Sequence, residues 1–220
     1  MLDYQKKFIN FLLQSQVLLF GEFVTKSGRE TPYFINTGRF DSGAKVMALS
    51  KFYAEHIVTN SLDEIDAIFG PAYKGIPLAV ATAVGLHQLT GRDFGFSFDR
   101  KEKKLHGDKG SIVGHSLQPK ERVLLVEDVV TAGTTLRDTI PKLRDNFAAD
   151  ITSAVVAVDR CERGSGTLAA TKEIEEELAV KVVPIITIYD IINFLQKGSP
   201  LKNAAEIADR IKHYLNKYGA

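Results

Sequence analysis

Five short runs along this chain consist almost entirely of apolar residues, and a helical pattern separates most of them from the next. In order, the runs are IDAIFG, FGFSF, RVLLVED, ITSAVVAVD and KVVPIITI. A strand that is apolar on both faces must be covered on both faces, and helical crossovers between strands produce parallel pairing. We therefore predict an α/β core with a parallel sheet, helices on both of its faces, and a ligand site at the carboxyl ends of the strands.

The first 40 residues lack this alternation. They begin with an amphipathic helical pattern, MLDYQKKFINFLLQSQ, and continue with two strand-like runs that are broken at Gly28. We interpret residues 1–40 as a small cap (a hood) over the core, and residues 41–220 as the core together with a C-terminal helix. The two parts are expected to form one structural domain, which fits a length of 220 residues.

The composition argues against several classes of protein. Lys and Arg number 28 and Asp and Glu number 27, so the formal net charge of +1 argues against a broadly basic nucleic-acid binder. A single cysteine excludes a disulfide framework and a zinc site built from several cysteines. No apolar run approaches the ~18 residues of a membrane span, and the N-terminal stretch lacks the features of a signal peptide. We expect a cytoplasmic protein without nucleic-acid or membrane partners.

The most informative segment is VLLVEDVVTAGTT, residues 123–135. An apolar strand ends in Glu127 and Asp128, and a turn of small residues then opens a helix. The backbone N–H groups and hydroxyls of such a turn can bind a phosphate at the helix N-terminus. The two carboxylates would repel that phosphate, but they suit sugar hydroxyls or a metal ion. The segment therefore predicts a sugar-phosphate site, and the alternative is an ordinary strand-turn-helix with polar caps.

Two further segments supply positive charge. FGPAYKG bends the chain at a strand end and offers Lys74 beside backbone N–H groups, which suits a diphosphate. From Arg100 to Gly110 there are five Lys or Arg and two acids, in a stretch that contains glycines. Such a segment would attract a polyanion and could act as a lid. Taken alone, each segment could equally be a turn or a solvated surface loop.

These segments resemble those of a known enzyme family. VLLVEDVVTAGTT resembles the phosphoribosyl-diphosphate motif of type I phosphoribosyltransferases, with Glu127 in place of the more common Asp. KSGRETPYFIN, FGPAYKGIPLA, RKEKKLHG and VDRCERG resemble the orotate phosphoribosyltransferase family, and the motifs span roughly three quarters of the chain. The resemblance implies the type I fold with its hood and transfer of a phosphoribosyl group from 5-phosphoribosyl 1-diphosphate to orotate. It also implies Mg²⁺ held mainly by the diphosphate, no metal ligand from the protein, and a homodimer with shared active sites.

The same resemblance implies a role for individual residues. Asp128, Lys104 and Lys26 are the implied catalytic residues, and a cis peptide is implied at Ala72–Tyr73. The residues implied to bind phosphoribosyl diphosphate are Lys26, Tyr73, Lys74, Arg100, Lys101, Lys104, His106, Glu127, Asp128, Val129, Val130, Thr131, Ala132, Gly133, Thr134 and Thr135. Those implied to bind orotate are Phe34, Ile35, Thr131 and Arg160.

The chemistry of orotate agrees with the last group. Orotate is a flat ring with a carboxylate, so it needs a guanidinium and an apolar wall. Arg160 follows a buried strand, and its alternative role is a surface ion pair with Asp159 or Glu162. Two other functions remain open. One is a transferase of the same fold for a purine or uracil, in which Arg160 would have no carboxylate to bind, and the other is a regulator that senses phosphoribosyl diphosphate and binds nucleic acid.

Two groups of polar residues are predicted to have no role in the ligand site. The acidic run Glu173–Glu177 is predicted to be a solvated helix face. His56, like the other histidines outside the basic stretch, is predicted to be structural or solvated.

Overall fold

The computed structural model describes residues 1–25, 28–100, 112–164 and 166–220. The helices are α1 Asp3–Gln14, α2 Gly43–Thr59, α3 Gly75–Thr90, α4 Thr134–Phe147, α5 Ala170–Leu178, α6 Ile188–Gly198 and α7 Ala204–Tyr218, with a short 3₁₀ helix at Thr37–Arg39. The strands are β1 Leu18–Val24, β2 Glu30–Ile35, β3 Ala67–Phe69, β4 Gly95–Asp99, β5 Ile112–Gly114, β6 Arg122–Val130, β7 Asp150–Asp159 and β8 Lys181–Thr187.

The central sheet has six strands in the order β5-β4-β3-β6-β7-β8. The five predicted runs are its strands β3, β4, β6, β7 and β8, and they pair in parallel as predicted. The edge strand β5 runs antiparallel to β4 and was not predicted. It follows directly on the basic stretch that the sequence indicated as a lid.

The sheet register aligns the ends of three strands. Phe69 at the end of β3 pairs with Ser97 of β4 on one side and with Leu125 of β6 on the other. Further along β6, Val130 pairs with Asp159 at the end of β7. The segments that follow these strands therefore emerge at one edge of the sheet, which is the predicted position of a ligand site.

Two hydrophobic clusters cover the two faces of the sheet. Leu124 and Val126 of β6 belong to the larger cluster, with α1, α2, α3, α6 and α7. Leu125 belongs to the smaller cluster, with α4 and α5. Because successive strand residues face opposite sides, an almost uninterrupted apolar strand fills both cores at once. The predicted helices on both faces are confirmed.

The N-terminal region consists of α1 and the antiparallel hairpin β1–β2. Side chains of α1 and of both hairpin strands belong to the larger core cluster, and the hairpin also packs against the C-terminal helix α7. Tyr33 of β2 and Tyr214 of α7 meet edge to face, with their ring centres 5.9 Å apart. The cap boundary at residue 40 stays a prediction. In the structure, the C-terminal helix α7 packs on the hairpin of this cap. Within the described ranges, no helix is both long enough and apolar enough to cross a membrane.

Candidate active site

Asp128, near the carboxyl end of β6, brings three parts of the chain together. Its Oδ2 atom accepts a hydrogen bond of 2.5 Å from the Thr37 hydroxyl and one of 2.9 Å from the Lys74 ammonium. Its Oδ1 atom accepts from the backbone N–H of Val129 at 2.8 Å. The Asp128 side chain is largely buried, whereas that of Lys74 is 64% exposed. A fixed carboxylate thus lies directly beside a cation that can still turn toward a ligand.

Glu127 and Asp128 form a buried pair with different proton affinities. The Glu127 carboxylate accepts from the backbone N–H of Asp128, and the Tyr53 hydroxyl donates to the carbonyl oxygen of Glu127 at 2.7 Å. Burial and the charge of Asp128 raise the pKa of Glu127. Burial also raises the pKa of Asp128, but the hydrogen bonds from Thr37 and Lys74 and the charge of Lys74 hold it below its usual value. The Asp128 carboxyl therefore ionises at lower pH than the Glu127 carboxyl.

The turn after β6 opens the helix α4 as the sequence predicted. Thr131, Ala132, Thr134 and Thr135 are exposed, whereas Gly133 is buried with a φ of 73°. The positive φ favours a glycine at this position, and a Cβ atom there would lie 2.3 Å from Ile174 Cδ1, so a larger residue would also displace the Ile174 side chain. Exposed hydroxyls and free helix N–H groups at the start of a 14-residue helix form a suitable site for a phosphate.

The loop between β3 and α3 lies beside the acid pair. Its bend is tight, since a Cβ atom at Gly70 would lie 1.9 Å from the carbonyl oxygen of Gly75. The backbone N–H of Ala72 donates to Asp99 Oδ1 at 2.6 Å, which fixes the loop to the end of β4. The implied cis peptide at Ala72–Tyr73 is confirmed. The Tyr73 side chain is 64% exposed, next to Lys74.

The basic stretch is only partly described. Arg100 follows β4 and so emerges at the same edge of the sheet as the Ala72–Lys74 segment. The other predicted cations, Lys26, Lys101, Lys104 and His106, lie outside the described residues.

Arg160, the predicted partner of the orotate carboxylate, is buried in an internal cluster. Its Nη2 atom lies 2.6 Å from Glu162 Oε1, its Nε atom donates to the same oxygen, and its guanidinium lies 4.6 Å from the centre of the Tyr33 ring. Glu162 also pairs with Arg29 at 3.2 Å and accepts from the Tyr214 hydroxyl at 2.8 Å. The alternative ion pair with Glu162 is therefore present, in the interior and not on the surface. We name this group, Arg29, Arg160, Glu162 and Tyr214, the arginine cluster.

Phe34 and Ile35 do not form one wall. They are neighbours on β2, and successive strand residues point to opposite faces. Ile35 is 8% exposed and belongs to the hydrophobic core, whereas Phe34 is 40% exposed and stacks on Phe23. Of the two, only Phe34 has an exposed side chain that a ligand could contact.

Sequence reasoning missed several contacts of this site. Thr37 and Asp99 were not singled out, although Thr37 lies next to the segment KSGRETPYFIN and Asp99 begins the basic stretch. Glu162 was considered only as an alternative partner of Arg160. Among the described residues, no group of three or more His, Cys, Asp or Glu side chains is placed to hold a metal ion.

A mostly parallel sheet that presents an acid pair, an exposed turn at a helix N-terminus and a lysine loop at one edge is typical of the class of phosphoribosyl-transferring domains. The model of the phosphoribosyl transferase domain matches residues 37–190. The chain is 42% identical to orotate phosphoribosyltransferase of Clostridium acetobutylicum over 216 residues, which cover 98% of this chain and 96% of that protein. It is 44% identical to the Shigella dysenteriae protein of the same name, with 100% of each covered.

Solved structures agree with these relatives. The crystal structure of orotate phosphoribosyltransferase from Francisella tularensis matches with a TM-score of 0.83 at 36% identity, and the match covers 97% of this chain and 100% of that one. The chain belongs to the orotate phosphoribosyltransferase family.

Proposed function

We propose that this protein transfers the 5-phosphoribosyl group from 5-phosphoribosyl 1-diphosphate to N1 of orotate. The products are orotidine 5′-monophosphate and diphosphate, and the reaction is a step in pyrimidine biosynthesis. One observation carries the proposal: the Lys74–Asp128–Thr37 contacts lie at the sheet edge from which the exposed turn 131–135 also emerges. A cation, a carboxylate and an anion-binding helix N-terminus match the diphosphate, ribose and 5′-phosphate of one substrate.

On this proposal, each part of the edge takes one part of the substrate. The turn 131–135 binds the 5′-phosphate, and Glu127 and Asp128 bind the ribose hydroxyls. Lys74 and Arg100 bind the diphosphate, with Tyr73 beside them. Lys74 is exposed and paired with Asp128, so it can leave that carboxylate for the more highly charged diphosphate.

Bond cleavage at the anomeric carbon leaves positive charge on the ribose ring. The Asp128 carboxylate, held ionised by Thr37 and Lys74, is placed to stabilise that charge when Lys74 moves to the diphosphate. Such fixed charges lower the barrier because they need no reorientation during the reaction. No residue needs to form a covalent bond to the sugar.

We also propose that Mg²⁺ takes part, held mainly by the diphosphate. The described residues fit a metal that the substrate brings, because both Asp128 oxygens already accept hydrogen bonds and Asp99 already accepts one from the backbone N–H of Ala72. When bound, Mg²⁺ would neutralise charge on the leaving diphosphate.

The base side of the proposal rests on Arg160, Phe34 and Thr131. Arg160 uses its Nε and Nη2 atoms on Glu162 and Tyr214, so the Nη1 side of the fork is the part that orotate would engage. The bond to Glu162 also favours a second candidate, a transferase for a base without a carboxylate.

The test is an assay of base depletion with phosphoribosyl diphosphate and Mg²⁺. Orotate, adenine, guanine, hypoxanthine and uracil are compared at equal concentration. Consumption of orotate alone supports the proposal. Consumption of another base in its place supports the second candidate, and no consumption of any base contradicts both.

A homodimer with shared sites and a cytoplasmic location also stay proposals. If the basic stretch of one subunit serves the site of the other, Lys104 and Asp128 of one working site come from different chains. Mixing two inactive variants, Lys104→Ala and Asp128→Asn, under verified subunit exchange would then restore roughly a quarter of wild-type activity in a twofold assembly. Activity that stays absent would show that each chain builds its own site.

A further inference from the structure

Arg137 lies in the first turns of α4, just behind the turn 131–135, and its guanidinium contacts two different elements. Its Nη1 atom donates to the carbonyl oxygen of Ala132. Its Nη2 atom donates to Glu173 Oε2 at 2.9 Å, and its Nε atom donates to Glu177 Oε2 at 2.7 Å. Both acids are on α5, so all three nitrogen atoms of the fork are engaged and the guanidinium has a fixed orientation.

The contact with Ala132 determines where one N–H group of the turn points. In a trans peptide, the C=O and N–H groups lie on opposite sides of the chain. Arg137 holds the Ala132 carbonyl oxygen on its own side, so the N–H of Gly133 points to the other side. That carbonyl is thereby also kept away from an anion that it would repel.

The α5 side of the turn is closed to a ligand. Ile174 packs so closely on Gly133 that no Cβ atom fits between them. Glu173, besides its bond to Arg137, accepts from the backbone N–H of Gly166 at 2.7 Å. Among the described residues, α5 covers one side of the turn, so an anion would approach from the opposite side, toward which the Gly133 N–H points.

The charges around Arg137 show that it does not act as a phosphate ligand. Two carboxylates surround one guanidinium, so the group as a whole adds no positive charge near the turn. Its three nitrogen atoms already have acceptors. What Arg137 can contribute is the orientation of a backbone donor.

We propose that Arg137 is a positioning residue, which orients the Ala132–Gly133 peptide so that the Gly133 N–H binds the 5′-phosphate, while Glu173 and Glu177 hold Arg137 in place. This inference rests on the proposed role of the turn as the 5′-phosphate site. It predicts that Arg137 affects the affinity for the 5′-phosphate and leaves the diphosphate end of the site unchanged.

The experiment compares Arg137→Met with a matched control, Arg144→Met. Arg144 is on the same helix and also donates to backbone carbonyl oxygens, those of Leu178 and Ile151, both at 2.7 Å. Binding of ribose 5-phosphate and of inorganic diphosphate is measured by calorimetry, with the melting temperature of each variant. We expect Arg137→Met to weaken ribose 5-phosphate about tenfold, since a hydrogen bond to a charged group is lost, and to leave diphosphate unchanged. Arg144→Met is expected to lower the melting temperature and leave both ligands unchanged.

Unchanged affinity for ribose 5-phosphate in a folded Arg137→Met variant would overturn the inference, as would an equal loss for both ligands. Thr134→Val separates this failure from failure of the proposed function. If Thr134→Val weakens ribose 5-phosphate and Arg137→Met does not, only the positioning role fails; if neither weakens it, the turn is not the 5′-phosphate site and both fail. Should Arg137→Met not fold, Glu177→Gln replaces it, because Glu177 is exposed and holds Arg137 through Nε. We then expect a threefold loss of affinity for ribose 5-phosphate alone, which corresponds to roughly half the energy of one charged hydrogen bond. No loss of affinity would overturn the inference.

Discussion

The two ends of the proposed substrate site are built in opposite ways. At the phosphate end, the groups that would bind the substrate are exposed: Lys74 turns to solvent, and the threonines of the turn 131–135 have accessible hydroxyls. At the base end, Arg160 is 5% exposed and already bonded to Glu162. The phosphate end can accept its ligand without breaking a buried contact. At the base end, Nε and Nη2 of Arg160 already bind groups of the protein, so the ligand would bind through Nη1. On the proposed function, we expect discrimination among bases to depend on the arginine cluster, and attraction of the phosphates to be independent of it.

The largest effect is expected from Asp128→Asn at the phosphate end. The change keeps the shape of the side chain and removes the charge that would face the developing positive charge of the ribose. We expect kcat to fall by about 10³ with a much smaller change in KM, because the interaction strengthens in the transition state. Steady-state kinetics at saturating Mg²⁺ measure it.

Glu127→Gln is the matched change for Asp128→Asn. Because the pKa of Glu127 is raised and that of Asp128 is lowered, Glu127 carries less negative charge than Asp128 near neutral pH, so we expect Glu127→Gln to cause the smaller loss in kcat. Equal losses in the two variants, or a loss confined to affinity, would contradict the different roles given to the two acids.

The second effect concerns the base end. Arg160→Ala is expected to raise KM for orotate by about a hundredfold and to leave KM for phosphoribosyl diphosphate nearly unchanged, since a buried charged hydrogen bond to the base is lost. Arg160→Lys should restore little, because an ammonium cannot bond Glu162 and a ligand with the geometry of the planar fork. Substrate kinetics for both variants, with melting temperatures, test this. Equal losses for the two substrates would mean that the arginine cluster only holds the fold together.

The third prediction concerns the pH dependence of stability. It uses a buried polar pair, His56 and Tyr4, that belongs to neither the phosphate end nor the base end. His56 of α2 accepts or donates one hydrogen bond of 2.8 Å with the Tyr4 hydroxyl, and burial lowers its pKa to about 4. In the unfolded chain the pKa returns to about 6.5, so the unfolded state binds more protons between these values and stability falls as the pH is lowered through them. From about pH 7 to pH 5 we expect this group to remove about 2 kcal/mol from the free energy of unfolding.

Urea unfolding of the wild type, His56→Gln and His87→Gln at the two pH values tests this expectation. His87 is exposed and serves as the control. The acid loss should shrink in His56→Gln alone. An undiminished loss in that variant would show that other groups cause it.

The smallest effect is expected from Thr37→Val, which tests whether the Thr37 hydroxyl controls the ionisation of Asp128 at the phosphate end. The Thr37 hydroxyl helps to hold the pKa of Asp128 down, so its removal raises that pKa and moves the acid limb of the kcat profile to higher pH. We expect a change of a few-fold in kcat near neutral pH, as for one hydrogen bond. Tyr53→Phe, which removes a bond to the backbone oxygen of Glu127, should lower stability without moving that limb. Identical profiles for Thr37→Val and wild type would remove Thr37 from this role.

The phosphate end could be predicted from the sequence because it is local. Glu127, Asp128 and the turn 131–135 are contiguous, and the strand before them sets their position. Of the arginine cluster, only the Arg160–Glu162 pair was considered from the sequence. The contact of Arg29 with Glu162 could not be predicted, since the two residues are 133 positions apart and meet only in the folded chain. The solvated face predicted for Glu173–Glu177 is wrong for Glu173, which is 8% exposed and bonded to Arg137. Its partner lies on another helix, which no pattern within α5 indicates.

The helix α6 was also missed, for a different reason. The strand β8 ends at Thr187 and the helix begins at Ile188, so no turn residue separates two apolar stretches. A local signal was present, however. Thr187 accepts from the N–H of Asp190 while the Asp190 side chain accepts from the N–H of Thr187, and this reciprocal cap is readable as T-x-x-D.

The arginine cluster has a consequence for how the folded protein opens. Glu162 ties the hairpin, through Arg29, to α7, through Tyr214, although the hairpin lies near the start of the chain and α7 near its end. Segments joined through one buried carboxylate tend to lose their structure together, because separating either one removes a hydrogen-bond partner from that carboxylate. We expect amide protons of β2 and α7 to exchange with solvent at matching rates in the native state, as one cooperative unit, and Glu162→Gln to accelerate both.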